Sequence, residues 1–130
     1  MAGICGMVLA VICSMKMRPS DWDAFRYFEP GEFSHPDFMS RELLAKLEIA
    51  RALARVPFVL TSTFRENDER SHGDGDAVDI ACVSSSDRHA IISSLLIAGF
   101  VRIGIYPEHI HADVSRRLPQ GVLFLGGYDG

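Results

Sequence analysis

Ser71-His72-Gly73-Asp74-Gly75-Asp76-Ala77-Val78-Asp79-Ile80-Ala81-Cys82 is the stretch on which the reading of this chain turns. Its first part, continuing the polar run from Arg65, carries two glycines and reads as a loop. From Ala77 to Cys82 the pattern becomes that of a strand, with Val78, Ile80 and Cys82 on one face and Ala77, Asp79 and Ala81 on the other. Asp79 is flanked by small side chains, which leaves room beside it for a metal and its ligands. Left buried and unpaired, its carboxylate would be costly. Imidazole and carboxylate are ordinary zinc ligands, and three protein ligands plus a water make an open, catalytic type of site.

A second stretch repeats the same chemistry. In His109-Ile110-His111-Ala112-Asp113-Val114, period two places His109, His111 and Asp113 on one face and Ile110, Ala112 and Val114 on the other. The apolar face can pack on a core, so the polar face looks into a cleft or into solvent. Two strands that each carry an imidazole or carboxylate on a small-residue face suggest convergence on a metal.

Around these stretches the chain alternates helix and strand signals. Ser40 caps a helix expected over 41–55, with Glu42 in its first turn and Leu43, Leu47, Ala50 and Ala54 at helical spacing. Pro57 stops it, and Phe58 to Phe64 reads as a strand. Ser86 and Asp87 open a second helix that Gly99 closes. Strands follow over Val101–Tyr106, His109–Val114 and Val122–Leu125, the last an edge strand. Upstream, Asp21 to Asp37 mixes Trp22, Phe25, Tyr27, Phe28 and Phe33 with Pro30, Gly31 and Pro36, an irregular segment whose rings cover the core. The expected fold is α+β: a single domain with a mainly antiparallel central sheet and flanking helices.

At 130 residues the chain is long enough to bury a core without disulfides. Its net charge is −4 and its lysines are Lys16 and Lys46, so there is no basic stripe and nucleic acid is excluded as a general partner. Cys5, Cys13 and Cys82 are odd in number and lack metal spacing. The apolar run Ala2–Ser14 is shorter than the roughly 20 residues of a bilayer span, and its basic residues, Lys16 and Arg18, follow it rather than precede it. Three readings of it stay open: a poor export signal, a short membrane-associating leader, or translated sequence upstream of a start at Met15 or Met17. Residues 1–16 are set apart on this basis, with the domain over 17–130.

His72-x-x-Gly75-x-Ala77-x-Asp79, followed downstream by His109-x-His111, resembles the zinc D-alanyl-D-alanine carboxypeptidases and related phage-type peptidoglycan peptidases, whose fold the signalling domain of hedgehog proteins shares. The resemblance covers roughly Phe58 to Ser115. It implies zinc held by His72, Asp79 and His111, with Glu108, three before the last ligand, as general base. It further implies that His109 lines the site and that Arg65, in Ser62-Thr63-Phe64-Arg65, binds substrate. The chain departs from the family pattern where the family has Ser-x-His: here Ser71 directly precedes His72 and Arg70 holds the earlier place.

The resemblance also implies the substrate, peptidoglycan stem peptides, and a monomer that acts on the cell wall, whether phage-encoded or exported. A catalytically silent, hedgehog-like zinc-binding recognition module is the alternative. Glu108 separates the two, because turnover needs a base. Asp113 either orients a ligand imidazole from behind or is exposed. His35 and His89 are structural or solvated. Asp74 and Asp76 lack the companion ligands of a calcium loop.

Overall fold

Proline and serine set the beginnings of the helical elements. In the computed structural model, which describes residues 15–126, three short 3-10 turns begin at Pro19, Pro30 and Pro36. Proline suits a first helical position because its missing N–H would have no partner there. These turns carry the aromatic segment around the core: Trp22, Phe28 and Phe33 are buried, and the Trp22 and Phe33 rings lie 5.1 Å apart.

Helix α1 is Arg41–Ala54. The Ser40 hydroxyl accepts the Leu43 N–H at 3.1 Å, satisfying one donor of the first turn. Leu43, Leu44, Leu47 and Ala50 form its buried face, and Arg55, at φ 59°, turns the chain out of the helix ahead of Pro57. Helix α2 is Ser85–Ala98. Its cap is Ser84, two residues before the expected Ser86, and Gly99 at φ 104° closes it as expected.

Five strands form one sheet: β1 Leu60–Ser62, β2 Ala77–Ala81, β3 Arg102–Ile105, β4 His109–Asp113 and β5 Val122–Leu125, in the order β1-β2-β4-β3-β5. Every pairing is antiparallel except β3 with β5. The architecture is thus the α+β one, with a mostly antiparallel sheet. β1 is shorter than the seven residues expected, because its pairing with β2 shifts register between Leu60 and Ser62.

The sheet has two unlike faces. Val78, Ile80, Ile103, Ile110 and Ala112 are fully buried in one cluster with Leu43, Leu47, Ile91 and Leu95 of the helices. Burial of each such Leu or Ile is worth about 1.5–3 kcal/mol. Alternation then dictates that Asp79, His109, His111 and Asp113 share the opposite face. The helices hold the sheet from one side, and the chemistry lies on the other.

The chain entering the domain is tied to the loop that carries His72. Met17 N–H bonds the Met39 carbonyl at 2.9 Å, Arg41 N–H bonds that of Met15 at 3.0 Å, and Ser40 N–H bonds that of Gly75 at 2.9 Å. Lys16 bridges Ser40, and its ammonium donates to the Asp74 carbonyl. Met15 and Lys16 therefore belong to this packing, while the apolar run Ala2–Ser14 lies outside the described residues. Among the described residues, no helix is long and apolar enough to cross a membrane.

Candidate metal centre

The pairing of β2 with β4 brings the two motifs together. Asp79 and His111 are direct cross-strand partners, with Ala77 opposite Asp113 and Ala81 opposite His109. Partners on one face stand about 5 Å apart, within reach of each other's side chains. His72 arrives from the loop above. That loop is folded on itself by Arg65 N–H to the His72 carbonyl at 3.1 Å and Asp76 N–H to the Ser71 carbonyl at 3.0 Å. Gly75 sits at φ 73°, where any side chain would also strike the Phe38 carbonyl, so the tight return from His72 to β2 requires glycine.

Three donor atoms converge. Asp79 Oδ1 lies 3.3 Å from His72 Nε2 and 3.0 Å from His111 Nδ1. One such atom from each residue is within 4.8 Å of the other two, and all three residues are buried. The far nitrogen of each imidazole is tied down. His72 Nδ1 is 2.6 Å from the Thr63 carbonyl, which can only accept, so Nδ1 carries the proton and Nε2 presents a lone pair. His111 Nε2 is 2.6 Å from Asp113 Oδ2 and donates to that carboxylate, which leaves Nδ1 bare in the neutral ring. Two lone pairs thus face a carboxylate. His72 Nε2 is buried and has no hydrogen-bond partner among the described residues. This arrangement is repulsive until a cation enters, and its ligand-plus-tether form is that of metal-binding histidines. The donor set fits a divalent ion with nitrogen and oxygen ligands.

The electrostatics agree with the geometry. Burial alone would raise the Asp79 pKa, but the His111 and His72 imidazoles beside it outweigh burial and hold the carboxyl well below the usual range. Burial alone would lower the pKa of His111, and the neighbouring carboxylates of Asp113 and Asp79 raise it instead. Both directions describe a pocket that favours positive charge.

Asp113 is fully buried and lies directly behind the ligand. Its Oδ2 accepts from His111 Nε2, from Arg102 Nε at 3.0 Å and from the Ser71 hydroxyl at 3.3 Å, while its Oδ1 accepts the Ser115 N–H at 3.0 Å. Of the two places considered for Asp113, the structure selects the one behind the imidazole. Ser71 takes part in this bracing.

A cavity of about 430 Å³ opens over the three residues, lined also by Arg65, Arg70, Arg102, Tyr106, His109 and Phe124. His109 stacks on Tyr106 with ring centroids 4.3 Å apart and 15° between planes, and its Nε2 is 3.7 Å from Asp79 Oδ2. Arg65 is at the rim, exposed and 3.3 Å from Asp68. Glu108 is not brought into this group: it is exposed in the bend before β4 and does not line the cavity. Its carbonyl accepts the Cys82 N–H at 2.9 Å, so its backbone already follows the sheet ladder. His35 stacks on Phe38 at 5.4 Å and His89 is exposed on α2; neither lines this cavity.

Arg102, Tyr106 and Phe124 were not legible as site residues, nor was the Thr63 carbonyl. Period two along β3 would have grouped Arg102, Gly104 and Tyr106 on the face of His111, since Gly104 pairs with His111. Gly104 is small for a reason: a Cβ there would meet the Phe124 ring at 2.5 Å and Tyr106 at 3.0 Å. A backbone carbonyl such as that of Thr63 leaves no trace in side-chain identity.

No family model matches this chain, and no match to it was found among curated proteins or among solved structures.

Proposed function

We propose that the chain is a zinc metallopeptidase that hydrolyses a peptide bond in peptidoglycan peptides. The observation that supports the metal is the buried, unpartnered Nε2 of His72, aimed with His111 Nδ1 at the Asp79 carboxylate. Support for the substrate class comes from the motif resemblance alone. His72, Asp79 and His111 would hold the ion, which when bound supplies Lewis acidity and an acidified water with a pKa near 7. Thr63 and Asp113 fix the two imidazoles in the tautomers that present a lone pair to it. Arg65 at the rim would hold a substrate carbonyl or carboxylate with its planar fork, exchanging its contact with Asp68 for it.

Two residues compete to take the proton. The resemblance assigns Glu108. Position favours His109, which lines the cavity and is held flat by Tyr106. The exposure of Glu108 also supports the second reading, a zinc-bearing recognition module without turnover. The test is incubation of the zinc-loaded protein with purified peptidoglycan and stem peptides, with products read by mass spectrometry and His72→Ala as control. Release of D-alanine or of stem fragments by wild type alone supports the peptidase. Bound zinc with no product across several wall chemistries supports the recognition module.

A further inference from the structure

Arg102 is a cation placed where a strand interior would ordinarily hold an apolar residue. It is 8% exposed in the middle of the sheet, and burying an ion costs several kcal/mol unless it is well paired. Its pairing is one-sided. Nε donates to Asp113 Oδ2 at 3.0 Å, Nη1 donates to the Pro119 carbonyl at 3.2 Å, and the guanidinium carbon lies 4.8 Å over the Phe124 ring. Nη2 makes no hydrogen bond among the described residues, and Arg102 lines the cavity beside His111. Asp113 has three other donors already, in His111, Ser71 and the Ser115 N–H. A mere counter-ion for Asp113 would need neither the fork nor an opening onto the cavity.

We propose that Arg102 binds a carboxylate beside His111 in this cavity, so that the site takes a peptide by its free C-terminus. This rests on the peptidase reading and narrows it to an exopeptidase. Three sides of the guanidinium are fixed by Asp113, Pro119 and Phe124, so the free edge is pre-organised and little side-chain entropy is lost on binding. Arg65 and Arg70 also line the cavity, but both are exposed at its mouth, and Arg65 is taken up by Asp68. Phe124 packs under the Arg102 guanidinium and meets Tyr106 edge to face, with centroids 6.3 Å apart. Because Arg102 and His111 share one carboxylate oxygen, a terminal carboxylate on Nη2 would set the preceding peptide carbonyl near the ligand triad.

The experiment compares an N-acetylated tripeptide ending in D-alanyl-D-alanine with its C-terminal amide, by calorimetric binding to zinc-free and to zinc-loaded protein. Wild type should prefer the free acid by about tenfold or more, the scale of one charge-assisted hydrogen bond. Arg102→Lys, which keeps a cation for Asp113 but loses the fork, should cut that preference to threefold or less. The double variant Arg65→Gln/Arg70→Gln, at exposed positions that do not endanger folding, should weaken acid and amide alike and keep the preference. Equal binding of acid and amide by wild type overturns the inference, as does a preference lost in the rim double variant or unchanged in Arg102→Lys. Cleavage of cross-linked stem dimers without any action on the tripeptide would overturn it while leaving the peptidase reading intact. An acid preference that depends on Arg102, with no hydrolysis of any substrate, would uphold it and sink the peptidase reading.

Discussion

Two cavities flank the Ser71–Asp76 loop, and they differ in kind. The one on the helix-distant face of the sheet holds His72, Asp79 and His111 and measures about 430 Å³. The other, about 700 Å³, lies between the loop and the entering chain and is lined by Lys16, Phe38, Asp74, Asp76, Arg116 and Arg117 among others. The larger cavity is rich in charge, yet its charges answer one another: Arg117 pairs with Asp74, Arg116 with Glu42 at 2.6 Å, and the Lys16 ammonium with the Asp74 carbonyl. In the smaller cavity the donor atoms oppose one another, lone pair against carboxylate, and every surrounding bond serves to keep them so. Size and charge therefore do not locate the chemistry here. What does is a set of polar atoms whose other hydrogen bonds turn their lone pairs toward one another.

The strongest way to break this comparison is to remove the base. With zinc occupancy matched, loss of the general base should lower hydrolysis of stem peptides on the order of 10² to 10⁴-fold. Glu108→Gln and His109→Gln measured side by side assign it: the larger loss in His109→Gln follows from the geometry, whereas the larger loss in Glu108→Gln would favour the motif resemblance. Removal of a charge from the larger cavity, as in Asp74→Asn, should not approach either effect.

Next in size is the tether behind His111. Asp113→Asn keeps the shape but removes the carboxylate that holds His111 Nε2 and neutralises Arg102. Zinc affinity should fall by about 10 to 100-fold, the usual cost of losing such a partner. An unpaired buried arginine also costs about 3–5 kcal/mol, so the thermal midpoint should drop markedly. Unchanged zinc affinity in a zinc competition titration would show that Asp113 serves the ion pair alone.

How much of this was visible in the sequence follows from where period two survives. Val78, Ile80, Ile110 and Ala112 against Asp79, His109, His111 and Asp113 is an unbroken alternation, so β2, β4 and their shared face were readable, with Asp79 and His111 on it, while His72 as their companion came from the motif resemblance. β3 reads Val101-Arg102-Ile103-Gly104-Ile105-Tyr106, where a lone arginine in an apolar run gives no hint that it meets Asp113. The loop carrying His72 is positioned by backbone carbonyls, those of Thr63, Ser71 and Gly75, which any residue could supply. Glu108 is the reverse case: spacing from His111 names it, and its side chain is exposed in the bend before β4, outside the cavity lining. Ser84 rather than Ser86 caps α2 because three serines in a row offer the same hydroxyl, and only the chain direction after Cys82 chooses among them.

The smallest effect belongs to the larger cavity. Asp76 is more than half buried there, and burial raises its pKa to about 6, against a small opposing pull from Lys16. An acid whose folded pKa exceeds its unfolded value of 3.8 favours the fold when protonated. That contribution is complete below about pH 4 and is lost as pH rises through 6. Asp76→Asn should therefore leave the thermal midpoint unchanged near pH 4 and raise it by a few degrees at pH 8, the scale of ~1 kcal/mol after allowance for solvent screening. A lower midpoint at pH 8 would mean that the Asp76 charge is held by a partner, as those of its neighbours are.

Native mass spectrometry of the protein purified with zinc present and then freed of excess metal tests the central claim most directly. The converging lone pairs of His72 and His111 on Asp79 require one zinc per chain in wild type, none in His72→Ala, and one in Asp74→Asn of the other cavity. Wild-type protein without stoichiometric metal, folded and stable, would contradict the account, and so would an ion retained in full by His72→Ala.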